Sequence, residues 1–189
     1  MRKIFSTARI TEAIEALKQG QVIAYPTEAV FGLGCDADNN QAIQTLLDLK
    51  QRPAEKGLII IASAVKQIEV YVDSLSDQQW QPALATWPGP VTWLMPARPS
   101  ISSLLTGKYD TIAVRVTQHP VARALCEQFG KPIVSTSANK TNQPPALTPE
   151  GVVEQFGQQI NCIVDGTVDR HSTPSEIRDL LSGKIIRSF

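Results

Sequence analysis

Apolar residues Ile10, Ala13, Ile14 and Leu17 recur at helical spacing and Gly20 ends the run, which predicts a first helix with Thr7 as a candidate N-cap. The stretch Gln21-Val22-Ile23-Ala24-Tyr25 reads as a strand stopped by Pro26. A second amphipathic helix is outlined by Ala42, Ile43, Leu46, Leu47 and Leu49, with Asn39 or Asn40 as its cap. Leu58-Ile59-Ile60-Ile61 has no polar alternation, so it reads as a strand buried on both faces. The pattern continues with helices near 64–72 and 76–86, strands at 91–95 and 111–116, and a helix near 119–129. Gly130 then leads into a strand at 132–135, and a helix near 149–156 with short strands near 160–164 and 184–187 completes the chain. Helices and strands alternate, but irregularly, around the joints Trp87-Pro88-Gly89-Pro90 and Gln143-Pro144-Pro145. The expectation is an α/β fold on a mixed, parallel and antiparallel sheet. With no internal repeat or long linker, residues 1–189 are read as a single domain.

Composition narrows the class. Hydrophobic residues make up 42% and charged residues 19%, the balance of a folded chain and not of a disordered one. Eighteen Lys plus Arg offset eighteen Asp plus Glu. A formal charge of zero argues against a coat for nucleic acid or an anionic membrane, but not against a local basic pocket. Cys35, Cys126 and Cys162 are widely spaced, form no CxxC pair and have only two histidines for company, so zinc spacings are absent and reduced thiols are expected. Met1-Arg2-Lys3-Ile4-Phe5 leads into polar residues and not into an apolar signal core. The longest clean apolar run, Leu58 to Ala62, is far short of the roughly 20 residues of a membrane span. A cytoplasmic protein with no membrane partner is expected.

Familiar nucleotide and hydrolase signatures are missing: there is no GxxxxGK[ST] loop, no GxGxxG after the first strand, and no GxSxG triad support. Four polar motifs at strand ends remain. Tyr25-Pro26-Thr27-Glu28 runs into Gly32-x-Gly34, either a capped turn or a loop built for close backbone approach to a ligand. Lys50, Arg52 and Lys56 precede the apolar strand; they are either helix-end cations or a cluster suited to phosphate. Ser135-Thr136-Ser137-Ala138-Asn139 follows a strand and offers more polar groups than a cap needs. Strand alternation sets Arg115 on the face of Ala113, opposite Ile112, Val114 and Val116, leaving solvent and site edge equally open.

Taken together and in this order, these motifs, with Trp87-Pro88-Gly89-Pro90, Ala113-Val114-Arg115-Val116 and His119-Pro120, resemble the YrdC/TsaC family over nearly the whole chain, in its short bacterial form. The resemblance implies a YrdC-like fold: a twisted mixed sheet with flanking helices around a large, basic, concave cavity. It implies a nucleotidyltransferase that condenses L-threonine, bicarbonate and ATP into L-threonylcarbamoyladenylate and pyrophosphate, the first step of t6A formation in tRNA. Mg2+ would accompany ATP, held by phosphates and not by a protein metal site, and downstream transfer proteins would be the partners. By motif, Lys50 and Arg52 would bind triphosphate and serve catalysis, with Lys56 a weaker member. Ser137, Asn139 and Arg187 would contact the nucleotide, while Thr27, Arg115, Ser135 and Ser175 would hold threonine.

Two departures from the family pattern stand out. Ile61 occupies the neighbourhood where many relatives place a His, and Glu176 and Arg178 replace small and apolar residues of a P-S-T-I-V-D segment. Asp36, Asp38, Asp110 and His171 have no motif support and read as surface or turn residues. The competing readings are an RNA-binding or ribosome-maturation module using the basic cavity, with weak tRNA binding, and a paralogue acting on another carbamoyl compound. Zero net charge and the absence of an RNP-like aromatic motif weigh against the first. The lack of acylphosphatase-like or zinc-finger additions weighs against the second.

Overall fold

The computed structural model describes residues 8–160, 162–169 and 175–188. Thr7, His171 and Pro174, singled out in the sequence, lie outside them. In chain order the elements are α1 (Ile10–Lys18), β1 (Ile23–Pro26), β2 (Phe31–Gly34), α2 (Asn40–Lys50), β3 (Ile59–Ala62), α3 (Val65–Ile68) and α4 (Asp77–Leu84). They continue with β4 (Val91–Pro96), α5 (Ser103–Thr106), β5 (Thr111–Val116), α6 (Pro120–Phe129), β6 (Ile133–Ser137), α7 (Pro149–Phe156), β7 (Cys162–Ile163), β8 (Glu176–Asp179) and β9 (Ile185–Arg187).

Local chemistry sets several boundaries. Asn39 accepts a hydrogen bond from the Ala42 amide at 3.1 Å, satisfying one of the free N–H groups that open α2. Gln51 ends that helix in the left-handed region at φ 51°. Pro120 begins α6 and Gly130 closes it at φ 83°.

Among the described residues the strands form one nine-stranded sheet in the order β7-β1-β2-β6-β3-β5-β4-β8-β9. The pairs β1–β7, β3–β5 and β4–β8 are parallel, and the other five are antiparallel, so the sheet is mixed as expected. One face packs on α2 through Ala24, Phe31, Leu33, Ile60, Val114 and Val134 with Ile43, Leu46 and Leu47. The other carries Ile23, Tyr25, Ile61 and Ile133 against α1 and α6.

Sequence pattern and structure part company at specific places. β2 is a strand although its Phe-Gly-Leu-Gly pattern does not announce one, and it pairs with both β1 and β6. β8 likewise has no strand signal in its sequence. The helix expected over 64–72 shrinks to one turn, β1 includes Pro26, and β6 runs on through Ser137, so part of the polar motif lies within the strand. Asp38 is exposed in a turn, as expected, and Asp36 is partly buried; Lys131 Nζ lies 2.7 and 2.9 Å from the carboxylates of Asp36 and Asp38, and Tyr71 donates to Asp38 at 2.6 Å. Asp110 is exposed in a bend, as expected.

Candidate active site

Residues paired across a sheet share a face, and the register therefore shows where the polar residues gather. Ile59 pairs with both Ala113 and Ser135, Ile61 with Arg115 and Ile133, and Ser137 with Gly32. All lie on the α1–α6 face, but the two helices cover only the Ile23, Tyr25, Ile61 and Ile133 end. The uncovered part forms a cavity of about 260 Å³. Its wall includes Thr27, Gly32, Arg52, Ile59, Arg115, Ser135, Ser137, Pro145, Ser175 and Arg187. Three guanidinium groups therefore line one cavity, and among the described residues no carboxylate lines it.

Arg115 emerges from β5 and is buried, 8% exposed. Its Nη2 lies 3.3 Å from Glu28 Oε2, and its buried Nε has no hydrogen-bond partner among the described residues. Of the two positions left open, solvent and site edge, the structure puts Arg115 on the cavity wall and not in solvent. Arg52, past the end of α2, donates from Nη2 to the Gly57 carbonyl at 3.0 Å, and its buried Nε also lacks a partner among the described residues. Burial holds Arg52 below the usual guanidinium range. Burial and, second, the charge of Arg115 do the same for Arg187, as expected where two cations face one space.

Hydroxyl groups fill in between the arginines. Thr27 donates to the Val30 carbonyl at 2.7 Å and so tightens the β1–β2 turn. Ser137 donates to Asn139 Oδ1 at 2.6 Å, fixing the chain that leaves β6. Thr92 donates to Ser175 Oγ at 3.3 Å, while Arg187 donates to the Ser175 carbonyl at 2.6 Å and to its Oγ at 3.2 Å. β9 is thus tied to the start of β8 at the cavity rim.

Lys50 and Lys56 are placed differently from the arginines. Lys50 is 5% exposed and lies behind the wall. Its ammonium donates to the carbonyls of Ser137 and Asn139 and to Asn139 Oδ1, tying the end of α2 to the chain after β6. Burial and then the Arg52 charge push its pKa down to about 8. Lys56 is exposed and is not among the lining residues. A cluster in sequence is therefore divided in space into one lining arginine, one buried strut and one surface lysine.

Sequence reasoning missed the partner of Arg115. Glu28 looked like part of a cap, yet it accepts from the Thr117 hydroxyl at 2.6 Å and from the Gln118 amide at 3.3 Å. Nothing local signals a contact 89 residues away in the chain. Among the described residues no group of three or more His, Cys, Asp or Glu could hold a metal ion.

The family model for Sua5, YciO and YrdC proteins, described as telomere recombination, matches residues 15–188. The chain belongs to this family. A threonylcarbamoyl-AMP synthase from Photobacterium profundum is 53% identical over 180 residues, covering 94% of this chain and 97% of its own. Another threonylcarbamoyl-AMP synthase, from Serratia proteamaculans (strain 568), is 54% identical over 184 residues, covering 96% of this chain and 97% of that one. Among solved structures, P. abyssi Sua5 complexed with L-threonine matches with a TM-score of 0.86 at 33% identity, over 94% of this chain and 54% of that one. The chain thus spans about half of that Sua5. E. coli YciO, at 24% identity and a TM-score of 0.82, covers 95% of this chain and 88% of its own, and shares the fold.

Proposed function

We propose that the protein is a nucleotidyltransferase that joins L-threonine, bicarbonate and ATP into L-threonylcarbamoyladenylate, releasing pyrophosphate in the first step of t6A formation. The observation that carries this reading is the convergence of Arg52, Arg115 and Arg187 on one cavity with no opposing carboxylate among the described residues that line it. That cavity lies in a chain 53% and 54% identical to two threonylcarbamoyl-AMP synthases over nearly their whole length.

The chemistry asks for charge neutralisation and alignment more than for an acid–base pair. The threonine amine adds to bicarbonate and water leaves, giving a carbamate. A carbamate oxygen then attacks the α-phosphorus of ATP as the bond to pyrophosphate breaks. Both reactants are anionic, and fixed guanidinium donors lower the repulsion between them. Arg115 takes the threonine carboxylate, with Thr27, Ser135 and Ser175 as neutral partners. Arg52, Arg187, Ser137 and Asn139 hold the nucleotide, and Lys50 supports that wall from behind. Lys56, on the surface, guides incoming triphosphate. Mg2+ would accompany ATP, held by phosphate oxygens, and would supply charge neutralisation there.

The whole chain works as one YrdC-like domain in the cytoplasm and hands its product to transfer proteins that modify tRNA. No helix among the described residues is long and apolar enough to cross a membrane. RNA binding is not the favoured role, since the relatives at 53% and 54% identity are threonylcarbamoyl-AMP synthases. Pyrophosphate release from ATP should require threonine and bicarbonate together. Release that persists without threonine would refute the reading, and tight, salt-sensitive RNA binding without turnover would replace it.

A further inference from the structure

We propose that Glu28 is the positioning residue for Arg115: it holds the guanidinium in its cavity-facing orientation and thereby sets the affinity for the substrate carboxylate. The inference rests on the functional reading above and concerns a residue outside the set assigned by motif. Glu28 and Arg115 have side chains 10% and 9% exposed, and the two groups approach to 3.3 Å. A buried ion pair is weak evidence for stability, because desolvation offsets much of its attraction. Its effect here is geometric. Thr27 and Ala29 line the cavity and Glu28, between them, does not, so the carboxylate meets Arg115 from behind the wall.

The carboxylate is itself held through one oxygen by the segment after β5. The Thr117 hydroxyl donates to Oε1 at 2.6 Å and the Gln118 amide at 3.3 Å. Thr117 in turn accepts from the His119 amide at 3.2 Å. Thr117 thus fixes Glu28 Oε1, while Oε2 faces Arg115 Nη2 at 3.3 Å as an opposite charge; neither Oε2 nor Arg115 Nε has a hydrogen-bond partner among the described residues. Burial raises the Glu28 pKa, but the Arg115 charge and the Thr117 hydrogen bond outweigh it and hold the carboxyl below its ordinary value. It is therefore ionised at neutral pH, an anchor for a cation and a poor general base.

Glu28→Gln keeps the shape and an oxygen to accept from Thr117 and Gln118 but removes the charge facing Arg115. Steady-state pyrophosphate release should show a threonine KM raised about tenfold or more, with kcat and the ATP KM within about threefold. Calorimetric titration with threonine alone should show the same loss of affinity. Thr117→Val, which frees one side of the carboxylate, should raise the threonine KM by about threefold to tenfold, and it carries the test if Glu28→Gln does not fold. A threonine KM within about twofold of wild type in the folded variants, or equal increases for threonine and ATP, would overturn the positioning role. Wild-type protein that fails to bind threonine would instead overturn the functional reading, and this inference with it.

Discussion

Lys50→Met tests whether the lysine before the apolar strand is a strut or a free phosphate ligand. Methionine keeps most of the stem's volume, so the change removes the ammonium and little packing. Three oxygens lose the ammonium: the Asn139 carbonyl at 3.0 Å, the Ser137 carbonyl, which keeps the Asn139 amide, and Asn139 Oδ1 at 3.4 Å, which keeps the Ser137 hydroxyl. Hydrogen bonds to a charged group contribute about 1.5–3 kcal/mol each, though bonds sharing one ammonium do not add fully. Against this, removing the charge relieves burial and repulsion by Arg52, together about 3 kcal/mol, judged from the drop in its pKa from 10.5 to about 8. The bonds should win, leaving a net loss of about 2–4 kcal/mol. For a chain of this size that is a fall in Tm of roughly 4–16 °C. Urea or thermal unfolding at pH 7 measures it.

The pH dependence has a definite sign. Between about 8 and 10.5 the unfolded chain keeps the Lys50 proton that the folded chain has lost, so rising pH stabilises the wild type and not the variant. The stability gap should therefore widen across that window. A Lys50→Met protein with unchanged Tm and abolished turnover would refute the strut and restore a role in direct phosphate contact.

Two further outcomes follow from the packing. A Cβ added at Gly34 would stand 2.5 Å from the Val134 carbonyl oxygen and 2.7 Å from Tyr25 Cε1, both in the sheet interior. Gly34→Ala should therefore destabilise by about 2 kcal/mol or more, visible as a lower urea midpoint, and an unchanged midpoint would contradict the close strand contact. Lys131→Met should lower Tm at neutral pH by breaking the contacts with Asp36 and Asp38. Burial raises the Asp38 pKa, but hydrogen bonds from Tyr71 and Lys131 prevail and depress it, so that contribution is present above the unfolded carboxyl value near 4. It is lost as pH falls through the lower folded value, and the difference between variant and wild type should shrink there. A constant difference down to about pH 2 would count against the network.

The sequence exposed most of the fold because its helices are amphipathic and its central strands continuous. α7 and β5 fall where the apolar periodicity placed them. β2 stayed hidden because its two glycines oppose strand propensity locally, and only the neighbouring β1 and β6 make their lack of a side chain an advantage. The candidate site was legible as residue types and less so as geometry. Arg115 could not be placed until its register with Ile61 was known. Lys50, Arg52 and Lys56 looked equivalent, yet the left-handed turn at Gln51 and the short turn before β3 send them to three environments. Glu28 could not be recognised as the partner of Arg115, because the contact joins a turn near the start of the chain to a strand far along it.

Net charge illustrates the same point. Eighteen against eighteen gives zero, but Arg52, Arg115 and Arg187 share a cavity, while Asp36 and Asp38 hold Lys131 elsewhere. An anion site depends on where the cations converge, not on their total.

The central claim is tested most directly by incubating the purified protein with MgATP, L-threonine and 13C-labelled bicarbonate and analysing the nucleotide products by mass spectrometry. An adenylate of threonine carrying the label in its carbamoyl carbon, formed in step with pyrophosphate and absent when any reactant is omitted, is the predicted result. AMP or ADP formed without a labelled threonyl adduct would contradict it.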